Sequence, residues 1–199
     1  MTGIPSYNDG SRELQDHFAT RALADRLAER LGQSAFDDDD RAFIESRPLF
    51  FLATADAQGR PDCSYKGGAP GFVRIIDPTT LAFPSYDGNG MFKSLGNLLV
   101  NPHVGLLFID FESPKRLRVN GRATVRHDDP LLADIPGAQL IVRVQAEEIF
   151  PNCSRYIHHM EITEPSKYVP TAGHTPPVPA WKQRPEFREV LPPNDRETV

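Results

Sequence analysis

Beyond Leu49 the hydrophobic residues of this chain stop recurring at helical spacing and fall into short runs, each closed by glycine, proline, asparagine or aspartate. A chain can bury such runs only by laying them side by side, so the pattern predicts antiparallel strands in a barrel or sandwich. Residues 49–55 read as a strand that Asp56-Ala57-Gln58-Gly59 turns, and 62–67 as its return. Gly67 to Gly71 is a flexible break, 72–76 a third strand ended by Asp77-Pro78, and 80–84 a fourth. After the turn Asp87-Gly88-Asn89-Gly90, residues 91–100 read as a short helix; Asn101-Pro102 stops it, because a residue before proline disfavours helical backbone. The run 104–110 is nearly all apolar, as expected of a strand covered on both faces. Residues 116–125 and 138–149 complete the set, the last with Ala138, Leu140, Val142, Val144 and Ala146 on one face. Six or seven strands around one short helix predict a mainly β, α+β fold and a small closed barrel.

The flanks differ from this centre. Leu14, Phe18, Leu23, Leu27 and Leu31 recur at spacings of three to five among charged residues, which predicts helix, capped near Ser11 and stopped at Gly32. A second helix is expected to start in Asp37–Asp40, where the positive end of its dipole favours anions, and to run through Phe43 and Ile44. The four aspartates lack the alternating ligands, central glycine and closing glutamate of a calcium loop. Eight of the 19 prolines follow Met160, so the end of the chain can be neither helix nor central strand. Trp181 and Phe187 there favour an extended arm with an anchor over a disordered tail. The organisation expected is therefore N-terminal helices over 1–48 packed on a barrel over 49–160, with an arm over 161–199 of the same domain.

Composition removes several functions. With 22 Lys and Arg against 27 Asp and Glu, the net charge of −5 excludes a nucleic-acid-coating role and confines any anion site to a local basic cluster. No apolar run reaches the roughly 20 residues a membrane helix needs, and Met1 to Ser11 lacks the order of a signal peptide. Two cysteines, Cys63 and Cys153, outside any CxxC pair fit free thiols in a reducing cytoplasm.

Three local groupings carry chemistry. Ser64 and Lys66 lie two apart on a strand and so share a face, beside the flexible Gly67-Gly68, a combination that suits a phosphate but also describes an ordinary exposed strand. The loop Asp87 to Gly90, with Asn89, runs into a helix start carrying Lys93 and Ser94; free N–H groups there attract an anion, while a plain hairpin turn is the alternative. Arg116, Arg118 and Asn120 share one strand face, either as donors to a flat heterocycle or as a solvated surface with packed stems. His158 and His159 follow Cys153 closely, but no second ligand pair at zinc spacing exists. Tyr156, Ile157 and Met160 are expected on a short helix packed against the barrel, and Cys63 as a small inward-facing residue. No serine, histidine and carboxylate assemble into a hydrolytic triad.

Residues from about 43 to 125 resemble the pyridoxamine 5′-phosphate oxidase-related, flavin-binding split-barrel family. The likeness lies in Phe51-Leu-Ala-Thr-Ala, Gly59-Arg-Pro-Asp-Cys-Ser-Tyr-Lys66, Leu81-Ala-Phe-Pro84, Lys93-Ser94 with Asn97 and Asn101-Pro102, Gly105-Leu-Leu-Phe108 and Leu117-Arg-Val-Asn-Gly121. The later Glu148-Ile-Phe-Pro-Asn-Cys-Ser-Arg-Tyr-Ile157 resembles one bacterial branch. The resemblance implies a split barrel, a homodimer with FMN at its seam, and an oxidoreductase exchanging electrons or hydride with a small molecule. It implies FMN phosphate near Lys66, Lys93 and Ser94, with Ser64 and Asn89 beside them; Phe83 and Pro84 bordering the isoalloxazine; and Arg116, with Arg118 on its face, reaching the flavin of the neighbouring subunit. Trp181 is a candidate cover for the cofactor or the partner. Pro61 stands where pyridoxamine phosphate oxidases carry arginine, and their C-terminal Arg-x-His is absent, so pyridoxamine phosphate is not the expected substrate. The family also holds deazaflavin-dependent and haem-handling members, which leaves a non-catalytic carrier or sensor as the alternative.

Overall fold

Every predicted strand forms, and all join one antiparallel sheet. A computed structural model of the chain describes residues 7–196. The strands are β1 (Leu49–Ala55), β2 (Pro61–Gly67), β3 (Arg74–Asp77), β4 (Thr80–Tyr86), β5 (His103–Asp110), β6 (Lys115–Arg126) and β7 (Ala138–Pro151), in the order β2-β1-β5-β6-β7-β4-β3. The ladder has two ends, at β2 and β3, so the barrel is split rather than closed as the strand count alone suggested. Alternation decides the faces: Phe50, Leu52 and Thr54 of β1, Leu106 and Phe108 of β5, Val119 of β6 and Val142 and Val144 of β7 all point inward and are buried. Phe50 centres the core, with the rings of Phe83 and Phe108 at 5.0 and 5.1 Å. Such inward alternation stabilises each large side chain by roughly 1.5–3 kcal/mol.

Helices α1 (Asp9–His17), α2 (Arg21–Leu31) and α3 (Asp38–Glu45) precede the sheet. The single N-terminal periodicity is broken at Ala19, whose φ of 53° no helix tolerates. Asn8 rather than Ser11 caps α1, and Gly32 ends α2 as expected. Only α3 packs as foreseen. Its Asp37–Asp40 capping box starts the helix, Phe43 and Ile44 enter the core, and Arg41 and Glu45 bond the backbone of Ile75. Helix α1 buries nothing and α2 only Ala28, leaving Leu14, Phe18, Leu23, Leu27 and Leu31 exposed. The two helices instead pair through Arg12–Asp25 and Arg21–Asp16 bridges.

Helix α4 (Lys93–Val100) is the one α-helix between strands among the described residues; a 3-10 turn, Pro130–Ala133, lies between β6 and β7. Leu95 and Leu98 are buried, and Asn97 Nδ2 donates to the buried Thr54 Oγ1 at 3.0 Å, which fixes the helix against β1. The run 104–110 faces the core on one side only; Leu107 and Ile109 point outward. The short helix expected to carry Tyr156, Ile157 and Met160 does not form: Tyr156 is exposed and Met160 is tied by its N–H to Phe111 O. The chain divides into two compact units, Met1–Glu161 and Ile162–Val199. Within the second, short helices form where the prolines were expected to exclude them, because each α-helix starts at a proline, where the missing N–H costs nothing. The 3-10 turn Ala180–Gln183 precedes α5 (Pro185–Arg188) and α6 (Pro193–Arg196), Trp181 packs edge-on against Phe187, and Lys182 pairs with Asp195 at 3.0 Å. Among the described residues no helix is long and apolar enough to cross a membrane.

Two local devices set the sheet's shape. At Gly121 the β6–β7 register shifts, and a Cβ there would collide with the Gln145 carbonyl oxygen. Asp129 accepts two bonds from Arg143 and one from Leu131 N, pinning the loop that covers the small cluster of Ala82, Ile135 and Ile141. Those bonds hold the Asp129 carboxyl below the usual carboxylate range.

Gly121→Ala is expected to destabilise the fold by about 1–3 kcal/mol. At Gly105 an added Cβ comes no nearer than 3.4 Å, to Asn120 Oδ1, so Gly105→Ala is expected to shift the urea midpoint far less. Asp129→Ala is expected to cost about 1.5–3 kcal/mol at neutral pH. Because the folded carboxyl titrates below the unfolded value near 3.9, its contribution is present above that pH and is lost as pH falls through the folded value. Urea titrations of parent and variant should therefore converge in acid; an equal gap at all pH values contradicts the assignment.

Candidate functional site

Strand β2 is an edge strand whose inner face is not filled by apolar residues. Its alternation turns Asp62, Ser64 and Lys66 inward, opposite Thr54, Leu52 and Phe50 of β1, and turns Cys63 and Tyr65 outward. Cys63 is thus exposed, contrary to the inward position expected, because the inner positions of this strand are the polar ones. The space above that face is closed by the loop 87–92 and the first turn of α4. Gly90 and Phe92 both take positive φ, 73° and 48°, which bends the loop into the helix start. Asn89 Oδ1 accepts from Met91 N at 3.0 Å and braces the bend.

The result is a cavity of about 250 Å³ lined by Ser64, Lys66, Asn89, Lys93 and Ser94, together with Asp62, Ser85, Tyr86 and the backbone of 88–92. Five of the nine expected cofactor residues, drawn from three segments, meet here. The start of α4 has no side-chain cap, so its first N–H groups remain available. Lys66 is partly buried and makes no hydrogen bond or ion pair among the described residues; burial pushes its ammonium below the usual lysine range, and Asp62 opposes that shift. An ammonium withdrawn from water without a bonded partner, two hydroxyls and an open helix start together favour an anion. Ser94 Oγ lies 2.8 Å from Asp62 Oδ2 and 3.0 Å from Ser64 Oγ. Asp62 was not among the expected site residues, yet its two-residue spacing from Ser64 was the available signal.

The other four expected residues lie elsewhere. The ring of Phe83 belongs to the core and Pro84 is buried opposite Ile141, so β4 reaches the cavity through Ser85 and Tyr86 instead. Arg116 and Arg118 stand on the outer face of β6, Arg116 with its Nε buried and without a hydrogen bond, Arg118 over the Phe150 ring at 5.9 Å. The outer face continues through register-matched neighbours: Tyr65, Phe51, Leu107, Arg118 and Phe150 form one row across five strands. A shallower hollow of about 310 Å³ on that side, between Ala53, Gly105 and Asn120, carries Glu147 and no lysine or arginine, which makes it a poor seat for an anion. Among the described residues no group of three or more His, Cys, Asp and Glu is arranged to hold a metal; His159 bonds Glu112 O and Glu161.

Solved structures similar to this chain include a Lactobacillus delbrueckii protein provisionally assigned as a pyridoxamine 5′-phosphate oxidase (24% identity, TM-score 0.49, 59% of this chain and 95% of that one). An FMN-binding protein of Syntrophomonas wolfei is also similar (12%, 0.46, 70% and 97%), as is HutZ, the haem storage protein of Vibrio cholerae (20%, 0.40, 60% and 92%). No curated protein sequence matches the chain. The sequence model of the pyridoxamine 5′-phosphate oxidase family matches residues 36–161, from just before α3 through the whole sheet and the cavity, and the chain belongs to that family.

Proposed function

We propose that this protein binds FMN and works as a flavin-dependent oxidoreductase, with the phosphate of the cofactor seated between β2 and α4. The observation that carries the reading is the convergence of Ser64, Lys66, Asn89, Lys93 and Ser94 on one cavity. Charge-assisted bonds contribute roughly 1.5–3 kcal/mol each, so three or four of them supply much of a micromolar affinity. The cavity suits a phosphate and the adjoining polyol, and is too small for a three-ring flavin as well; the isoalloxazine then lies beyond it. When bound, the flavin supplies hydride or electron transfer, and the protein holds and orients it. Membership of the family supports the flavin, and Pro61 in place of a basic residue turns the reading away from pyridoxamine phosphate as substrate.

The same reading takes the protein to be a homodimer. Arg116 and the phosphate cavity lie on opposite faces of the sheet, which favours a second chain as the one that brings its Arg116 to the ligand. A second copy covering the outer row of Tyr65, Phe51, Leu107 and Phe150 would shield these side chains and give Arg116 a partner across the seam. The apolar character of β5 on both faces fits that arrangement. The remaining partner is a small electron donor or acceptor, and the compartment proposed is the cytoplasm.

Purified protein is expected to be yellow and to release FMN on denaturation. Lys66→Ala and Lys93→Ala should each weaken FMN about 10- to 100-fold by fluorescence titration while changing riboflavin, which lacks the phosphate, little. Unchanged FMN affinity in both rejects the site. Tyr65→Asp is expected to yield monomers in sedimentation and to weaken flavin binding together with dimerisation, as is Arg116→Ala for flavin alone. Steady reduction of a dye by a nicotinamide donor supports turnover; bound flavin without turnover makes the protein a carrier or sensor.

A further inference from the structure

A carboxylate is an unexpected lining for a phosphate pocket, and its bonding shows what it selects. A hydroxyl has one proton to give and a carboxylate none, so Ser94 donates to Asp62 and accepts from Ser64. Both hydroxyl protons are thereby drawn toward Asp62, and the two serines present lone pairs, not donors, to anything entering. The other carboxylate oxygen of Asp62 accepts no hydrogen bond among the described residues. Charged groups facing it are Lys66 on its own strand and Lys93 on α4; Tyr86 of β4 is neutral, with burial pushing its phenol up, and Asp87 adjoins the pocket at Gly88. Of the charged groups that line the pocket itself, two lysines and one aspartate balance a monoanion and leave a dianion one charge in excess, and Asp87 beside it disfavours that second charge further.

From this arrangement we infer that Asp62 makes the pocket selective for a phosphomonoester in its singly protonated form, by accepting a hydrogen bond from the ligand's P–OH. A proton delivered there forms a short charge-assisted bond and frees Ser94, and through it Ser64, to donate to the remaining phosphate oxygens. A fully ionised phosphate sets oxygen lone pairs against the carboxylate, as does a sulfate ester, which has no proton to offer. The inference rests on the phosphate seat described above but not on the flavin.

Methyl phosphate and methyl sulfate, titrated into isotope-labelled protein and followed by amide chemical shifts, separate the two ideas. Phosphomonoesters lose their second proton near pH 6, so methyl phosphate is expected to bind at least about tenfold more tightly at pH 5.5 than at pH 8. Methyl sulfate should bind far more weakly at both. Titration of Lys66 alone would weaken both esters in parallel as pH rises, and that result overturns the inference without any variant. In Asp62→Asn the pH dependence is expected to flatten and methyl sulfate to approach methyl phosphate. Unchanged ester discrimination in Asp62→Asn, with FMN still bound, overturns the role of Asp62 and leaves the flavin reading standing. The expected ester pattern without FMN binding does the reverse, and absence of all binding overturns both.

Discussion

The contact between the first turn of α4 and the inner face of β2 is the constraint on which the site depends. Ser94 reaches Asp62 and Ser64, and three residues further on Asn97 reaches Thr54, so one helix is tied to two neighbouring strands by polar bonds at its start and middle. Because β2 ends the sheet, its inner face is covered by this helix start and the loop 87–92 rather than by a further strand. A helix held at that edge closes a space lined by the polar side chains Asp62, Ser64 and Lys66, where the rest of the inner face is mainly apolar. The positive φ of Phe92 is compatible with this picture: local strain is kept where the loop must turn sharply into the helix.

Splitting the barrel has a second consequence. With β2 and β3 left as ends, the outer face of the sheet carries the row of aromatic and arginine side chains from β2 to β7. The inner cavity and outer row therefore sit on opposite faces of the sheet, served by alternate residues of the same strands. Period-two alternation is what allows Ser64 and Tyr65, adjacent in sequence, to face different tasks.

Much of this was legible in the residues. All seven strands and α4 follow from alternation and turn chemistry, with boundaries off by a residue or two, because those signals are local. Ser64 and Lys66 share a face by spacing alone, and Lys93 and Ser94 open a helix, but nothing in a linear pattern states that the two meet. That was carried by family resemblance. The split of the barrel came from family resemblance, while strand count alone suggested closure, since a count does not reveal whether the first and last strands pair. Cys63, expected inward from the strand's alternation, faces outward because the polar residues on either side of it define the inner face. Leu14, Phe18, Leu23, Leu27 and Leu31 read as a core stripe, yet the break at Ala19 pairs the two helices with each other and leaves the stripe exposed. The resemblance implies a flavin contact at Phe83, but its ring is buried in the core against Phe50, which leaves only backbone for such a contact.

The central claim is that an ester phosphate is held between an edge strand and a helix start. A crystal structure of the flavin complex tests it most directly. The account predicts phosphate oxygens within hydrogen-bonding distance of Ser64, Lys66, Lys93 and Ser94 and of the first backbone N–H groups of α4. A flavin whose phosphate lies elsewhere on the sheet, with this cavity filled only by water, would contradict it.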